Sequence, residues 1–285
     1  MEKHYRFGSL ELTFDLPQER MYRNELWLAP FAVPSVNAPD RFRFSMVEEL
    51  TAPETDCVVC NPDQRIYREG EWTVRYLGSV GGSWRDGYIR VASCGRDHRV
   101  ELKESNFSGP VGIHTVLSAI GVEHLMAQAG GLVFHCSFIE HDGKAILFTA
   151  PSETGKSTQA ELWRQHRGAR IINGDRAAIR WDGKQLLAEG LPFCGSSEYC
   201  ENASLPLKAI VYLAQAPRTS IRRMGGYEAF SRIWEGVCVN TWDRGDMEQA
   251  SDLVQKLATF VPVYYLPCTP DESAVIALAQ ALESR

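Results

Sequence analysis

Apolar and polar positions alternate along the first hundred residues of the chain. Arg41-Phe42-Arg43-Phe44-Ser45-Met46 shows the period-two pattern of a half-buried strand. Short runs at 64–67, 72–77, 87–92 and 99–102, separated by Gly78–Ser83 and Cys94–Asp97, predict an antiparallel meander. His4 to Phe14 is strand-like, with a break near Gly8-Ser9, and 17–40 reads as loop around Pro17, Pro30, Pro34 and Pro39. Trp72, Trp84, Tyr76 and Tyr88 fit a sheet core better than a recognition surface, because aromatics favour strands. Gly81-Gly82 reads as a loop rather than a phosphate-contacting turn. A boundary is expected at Ser105–Pro110, giving a β-rich domain over 1–105 and a second domain over 106–285.

The period then changes. Ile113, Val116, Leu117, Ile120, Leu125 and Met126 follow helical spacing until Gly130-Gly131 stops them, with His114 and His124 as ordinary packing or surface residues. Leu132–Ile139 predicts a strand, His141-Asp142-Gly143-Lys144 a hairpin turn, and Ala145–Thr149 its second arm. A helix over 157–166 follows, then, in the run 170–179, an apolar strand ending in Asp175, a turn at 181–184 and a strand over 185–188. Residues 190–205 read as a loop, 207–213 as a strongly apolar strand. Tyr227, Phe230, Ile233, Trp234 and Val237 form an apolar helical stripe, and helices over 247–260 and 272–282 flank a strand over 261–266.

Between the hairpin and the first of these helices lies Ala150-Pro151-Ser152-Glu153-Thr154-Gly155-Lys156-Ser157-Thr158, which matches [AG]-x-x-x-x-G-K-[ST] in the strand–loop–helix setting a phosphate-binding loop requires. Backbone N–H groups from Glu153 to Ser157 could wrap a phosphate, helped by the positive end of the helix. Gly155 permits close approach, Lys156 supplies a mobile charge for β- and γ-phosphates, and the Ser157 hydroxyl suits Mg²⁺. Asp175, nineteen positions after Lys156, is a candidate second Mg²⁺ anchor, although Asn173-Gly174-Asp175 is also turn-prone.

His135, fifteen positions before Ala150, together with hairpin, loop, helix and Asp-bearing strand, resembles the HPr kinase/phosphorylase and ATP-dependent phosphoenolpyruvate (PEP) carboxykinase superfamily. The nearest resemblance is to the HPr-kinase-related kinases found beside peptide-modifying enzymes, over about residues 106–285. It implies an α+β fold: a PEP-carboxykinase/HPr-kinase-like P-loop domain of mixed sheet and helices, preceded by a β-rich N-terminal domain suited to acceptor recognition. It implies an ATP- and Mg²⁺-dependent kinase acting on a hydroxyl, of a peptide Ser/Thr or a small hydroxy amino acid. Ser152 to Thr158 would then hold nucleotide, Ser157 and Asp175 metal with Glu198 a further candidate, and Asp175 or His135 would be the base. Arg176, Arg218 and Arg222 are candidates for steadying the transferring phosphoryl group. The chain departs from HPr kinases in carrying Gly174 where they have a second acid, and in lacking a clear Glu-Ile-Arg-Gly-Leu-Gly segment. Two other readings stay open: a non-catalytic nucleotide-binding regulator, and a carboxykinase-like lyase.

Composition narrows the field. Of 285 residues 44% are hydrophobic, enough for a real core, and the net charge of −6 comes without a basic tract, which argues against nucleic acid or an anionic membrane as partner. The polar start, Met1-Glu2-Lys3-His4-Tyr5-Arg6, has no apolar segment behind it, so a cytoplasmic protein with reduced cysteines is expected. The oligomeric state is left open. Cys57-Val58-Val59-Cys60 has metal-ligand spacing but no second Cys-x-x-Cys to complete a site, so buried strand cysteines are expected.

Overall fold

A computed structural model describes residues 1–16, 25–78, 83–109, 111–193 and 195–284. Pro17, Gly81-Gly82, Pro110, Cys194 and the side chain of His114 lie outside the described residues. The fold is mixed α+β with two mixed sheets, and the chain divides into compact units Met1–Val122 and Glu123–Arg285.

The first unit contains strands β1 (Glu2–Phe7), β2 (Leu10–Asp15), β3 (Asp40–Val47), β4 (Val59–Cys60), β5 (Gln64–Glu69), β6 (Trp72–Leu77), β7 (Ile89–Cys94) and β8 (Asp97–Lys103), with helices α1 (Glu25–Leu28) and α2 (Ile113–Ile120). They form one sheet in the order β1-β2-β3-β8-β7-β6-β5-β4. The antiparallel meander holds from β4 to β8, but β3 pairs parallel with both β2 and β8. A connection of more than twenty residues between β2 and β3 makes that parallel crossover possible, where a hairpin would not. Phe42 and Phe44 point inward and meet Phe14 edge-on at 6.0 and 5.7 Å. Tyr76 is fully buried, and Trp72 and Trp84 pack on its cluster, so these aromatics are sheet core. Helix α2 belongs here rather than with the later residues, because the Arg75 guanidinium donates to Ala119 O at 2.7 Å and stops its C-terminal turn.

The single helix expected over 113–126 is two. Gly121, at φ 63°, ends α2, and α3 (Val122–Gln128) begins after it. The second unit continues with β9 (Gly131–His135), β10 (Ser137–His141), β11 (Lys144–Thr149), α4 (Lys156–Arg167), β12 (Arg170–Asn173), β13 (Arg176–Trp181), β14 (Leu186–Gly190), β15 (Ser204–Gln215), β16 (Arg222–Met224), α5 (Gly226–Trp234), β17 (Val237–Cys238), α6 (Arg244–Phe260), β18 (Val263–Cys268) and α7 (Glu272–Glu283). The hairpin β10/β11 closes in register at His141↔Lys144, with Asp142 and Gly143 at φ 52° and 70°, the left-handed pair that a two-residue turn between twisted strands requires.

The ten strands run β12-β10-β11-β15-β14-β13-β9-β17, with β18 beside β15 and β16 beside β18. The run 132–139, expected to be one strand, is split at Cys136: β9 pairs with β13 and β17, whereas β10 pairs with β11 and β12. In the run 170–179 the apolar strand expected to end in Asp175 is β12, which stops at Asn173; Gly174 and Asp175 lead into β13, which lies in a different part of the sheet.

β11 is apolar from Ala145 to Phe148 because both its faces are covered there. Leu147 joins a core built with Ile233 of α5 and Leu253, Val254 and Leu257 of α6; Ile146 and Phe148 join another with Ala160 and Trp163 of α4 and Val275 and Leu278 of α7. In the stripe predicted from Tyr227, Phe230, Trp234 and Val237 do pack on the first core, but Tyr227 is 84% exposed at the first turn of α5. Among the described residues no helix is long and apolar enough to cross a membrane.

Close backbone packing sets a sharp constraint at the end of β14. A Cβ on Gly190 would lie 1.9 Å from Glu201 O. Gly190→Ala is therefore expected to lower stability by about 1–3 kcal/mol, the usual cost of overpacking, read as a fall in the urea midpoint with unchanged slope.

Candidate functional site

Two chain crossings meet in the second unit. One is the passage from β9 to β10 at Cys136, the other the passage from β12 to β13 at Gly174-Asp175. Cys136 N–H donates to Asp175 O at 3.0 Å and Ser137 Oγ to Gly174 O at 3.3 Å, which ties one crossing to the other. Thr149, the last residue of β11, donates from Oγ1 to His135 O at 3.0 Å, so the strand entering the 150–155 loop is fastened to the same point. His135 N–H in turn donates to Gly236 O at 2.7 Å, and Gly236 has no room for a side chain, since a Cβ would meet Phe134 and Thr149 at 2.7 Å.

This frame puts His135 and Asp175 side by side, with Nε2 and Oδ1 3.7 Å apart. The turn chemistry expected of Asp175 is carried by Asn173. Its buried side chain donates to Leu191 O at 2.7 Å and accepts from the N–H groups of Asp175 and Arg176 at 2.8 and 2.9 Å. The Asp175 carboxylate is left to face outward groups. Arg176 Nε approaches its other oxygen at 3.4 Å, while Arg176 Nη1 donates to Glu123 at 2.7 Å and the guanidinium lies over the Phe193 ring.

The loop after β11 doubles back on itself. Thr154 N–H donates to Pro151 O at 3.3 Å, Glu153 takes φ 63° and Gly155 φ 112°, where glycine alone is at ease. Helix α4 starts at Lys156, and its ladder begins with Gln159 N–H to Gly155 O at 2.9 Å, so the amides of Lys156, Ser157 and Thr158 precede it. Lys156, 9% exposed, turns into the loop and donates to Ala150 O at 3.1 Å and Pro151 O at 3.4 Å. Burial holds its ammonium below the ordinary lysine value, with the Asp175 carboxylate opposing. Burial, and then the Lys156 charge, push the His135 imidazole down, again against Asp175. His135, Lys156, Asp175 and Arg176 thus share one electrostatic neighbourhood although they come from three separate segments.

The remaining predicted residues are dispersed around it. Ser152 and Glu153 are exposed on the loop; Ser157 and Thr158 line a cavity of about 420 Å³ with Ser137, Gly174, Ser197 and Tyr199. Glu198 is exposed, at φ 60°, in a loop whose Gly195 abuts Asp175: a Cβ there would lie 3.1 Å from the Asp175 Cβ. Arg218 is exposed in the turn after β15, whose Gln215 donates to Glu153 O at 3.5 Å. Arg222 is committed elsewhere, to Glu228 at 2.8 Å and to the Tyr265 ring. Burial pushes the Cys136 and Cys238 thiols up, so neither offers a thiolate here. Away from this centre His124, expected to be an ordinary packing or surface residue, donates from Nδ1 to buried Asp246 at 2.8 Å, close to Asp243; Asp243 caps α6 by accepting from Asp246 N–H at 3.1 Å.

Asn173, Glu123, Gly236 and Gly195 escaped the sequence reading. Their roles come from contacts between distant segments, and the one local signal was the turn-forming Asn-Gly-Asp.

The family model described as "SynChlorMet cassette protein ScmC" matches residues 110–269. Among solved structures the chain is similar to the Hpr(Ser) kinase/phosphatase from Coxiella burnetii, at 13% identity and a TM-score of 0.31, covering 53% of this chain and 92% of that one. That likeness is too distant to bear on activity. No curated protein matches the chain.

Asn173 is the side chain on which the Asp175 turn depends. Asn173→Ala leaves one buried carbonyl and two amides without their partner, and a loss of about 1–3 kcal/mol is expected. Faster hydrogen exchange confined first to the amides of Asp175 and Arg176 would show that the loss starts at this turn.

Proposed function

The chain belongs to the SynChlorMet cassette protein ScmC family, and we propose that it is an ATP- and Mg²⁺-dependent kinase that transfers the γ-phosphoryl group to a hydroxyl. The acceptor class proposed is a peptide Ser or Thr, or a small hydroxy amino acid. The observation that carries the reading is the convergence of Lys156, His135 and Asp175 at the start of α4, beside a loop with left-handed φ at Glu153 and Gly155, on either side of Thr154. Such an arrangement, ahead of a helix N-terminus, is the form in which successive amides make a concavity for phosphate.

Phosphoryl transfer asks the protein for positioning and charge neutralisation more than for covalent chemistry. On this reading Lys156 exchanges its two loop carbonyls for β- and γ-phosphate oxygens, and the first amides of α4 receive the same polyphosphate. Ser157 and Asp175 offer the hard oxygen donors that suit Mg²⁺, and Ser157 and Gly174, next to Asp175, line one cavity, which is consistent with a shared ion. Bound there, the ion would neutralise phosphate charge. His135, held largely neutral at pH 7 by burial and by Lys156, is able to take the proton of the acceptor hydroxyl. Asp175 beside it would steady the imidazolium that results. Arg176, anchored by Glu123, keeps a positive charge at the same carboxylate. The first, β-rich unit is proposed to recognise the acceptor.

Lys156→Ala is expected to keep the fold and lose Mg-ATP binding. Calorimetry on the folded variant checks it, and unchanged affinity would sink the loop assignment.

The two candidate bases separate by their signatures. Asp175→Asn should lose metal-dependent ATP affinity together with rate. His135→Ala should keep Mg-ATP affinity and lower kcat by about 10²–10⁴, the usual worth of a general base. Near-normal kcat in His135→Ala would leave Asp175 as the base. Mg-ATP binding without turnover in the wild type would favour a non-catalytic regulator instead.

A further inference from the structure

We infer that Cys57 and Cys60 form a redox-active dithiol that closes into an intramolecular disulfide by exchange with low-molecular-weight disulfides. The expectation of two buried strand cysteines fails here. Cys60 is exposed on β4, the edge strand of the first sheet, and Cys57 is half-buried in front of it. Their sulfurs are in contact at 2.7 Å, not far outside the roughly 2.0 Å of the bond itself.

The short segment that carries them is held in place by backbone. Val58 N–H donates to Ile66 O at 2.8 Å and Asn61 N–H to Gln64 O at 3.0 Å, so the two thiols meet without a large rearrangement of the chain. Cys57 also donates to Val59 O at 3.1 Å. A structural zinc needs about four protein donors. Among the described residues no third His, Cys, Asp or Glu donor gathers with these two.

The two sulfurs are unequal. Cys60 sits opposite Arg65 in the β4/β5 register; its hydrogen bond with Cys57, and then Arg65, hold its thiol below the ordinary cysteine value. Burial pushes the Cys57 thiol up. Cys60 is therefore the attacking group and Cys57 the resolving one. The Cys60 thiolate attacks one sulfur of a small disulfide, forming a mixed disulfide and releasing the first thiolate. Cys57 gives its proton to solvent, its sulfur attacks the Cys60 sulfur, and the second thiolate leaves. Two protein thiols are oxidised and one small disulfide is reduced to two thiols.

The test uses the full chain and oxidised glutathione, followed by iodoacetamide and peptide mapping. The expected result is loss of alkylation at both Cys57 and Cys60, with a linked peptide lighter by two hydrogens and recovery of both thiols on adding dithiothreitol. Cys57→Ser should halt at a glutathione adduct on Cys60, whereas Cys60→Ser should collect little adduct on Cys57. Because Cys57 packs against the same apolar cluster as Trp72 and Trp84, the closed form should also show a change in tryptophan fluorescence in the wild type. That wild-type readout does not depend on either variant folding. Persistence of both alkylation marks in oxidised glutathione would overturn the inference. So would stoichiometric zinc uptake that protects both thiols without loss of hydrogen.

Discussion

A single backbone hydrogen bond, Cys136 N–H to Asp175 O, joins the two places where the second sheet exchanges strand partners. At each, the chain leaves one group of strands and enters another. Unjoined, the two crossings would be ordinary irregular connections. Joined, they become a fixed corner. His135 is the last residue before one crossing and Asp175 the last before β13, so the side chains on either side of the bond face each other. Ser137 and Thr149 repeat the fastening with hydroxyl groups, a choice suited to a buried corner where every carbonyl must find a donor.

The corner is stiff because the strand next to it is buried on both faces. β11 sends Leu147 one way and Ile146 and Phe148 the other, into cores closed by two different helix pairs. A strand so held has little freedom to slide, since a slip of one residue would exchange both faces. The 150–155 loop therefore springs from a well-determined point, and α4 returns over the same sheet with Trp163 fully buried beneath it. Precision in the loop is inherited from apolar packing that has no part in its chemistry.

Much of this was legible in the chain itself. Asp142-Gly143 announced a tight hairpin because only a pair tolerant of left-handed backbone makes one, and 150–158 announced a strand–loop–helix because glycine, lysine and hydroxyl spacing is a local property. Partner choice is different. Periodicity says that a residue lies in a strand but carries no label for the neighbouring strand. Hence Leu132–Ile139 looked like one strand and is two, and nothing in the alternation of 41–46 announced that β3 runs parallel to both neighbours. Gly121 and Asn173 were each one letter in a run that also fitted the simpler pattern; what decided them was a left-handed turn and a buried carbonyl. Cys60 was misjudged because spacing does not say whether a strand lies at the edge of its sheet.

Lys156, turned inward onto the carbonyls of Ala150 and Pro151, has a bearing on selectivity. Its charge is not presented to solvent; an anion must compete with two oxygens already in place. A lone monovalent ion offers one weak replacement and gains little. On the proposed reading, a chain of linked phosphates that also reached the first amides of α4 would replace both oxygens and add further bonds, each contact raising the effective concentration for the next. The loop's own carbonyls would then act as a threshold, filtering ligands by how many anionic groups they carry along one line.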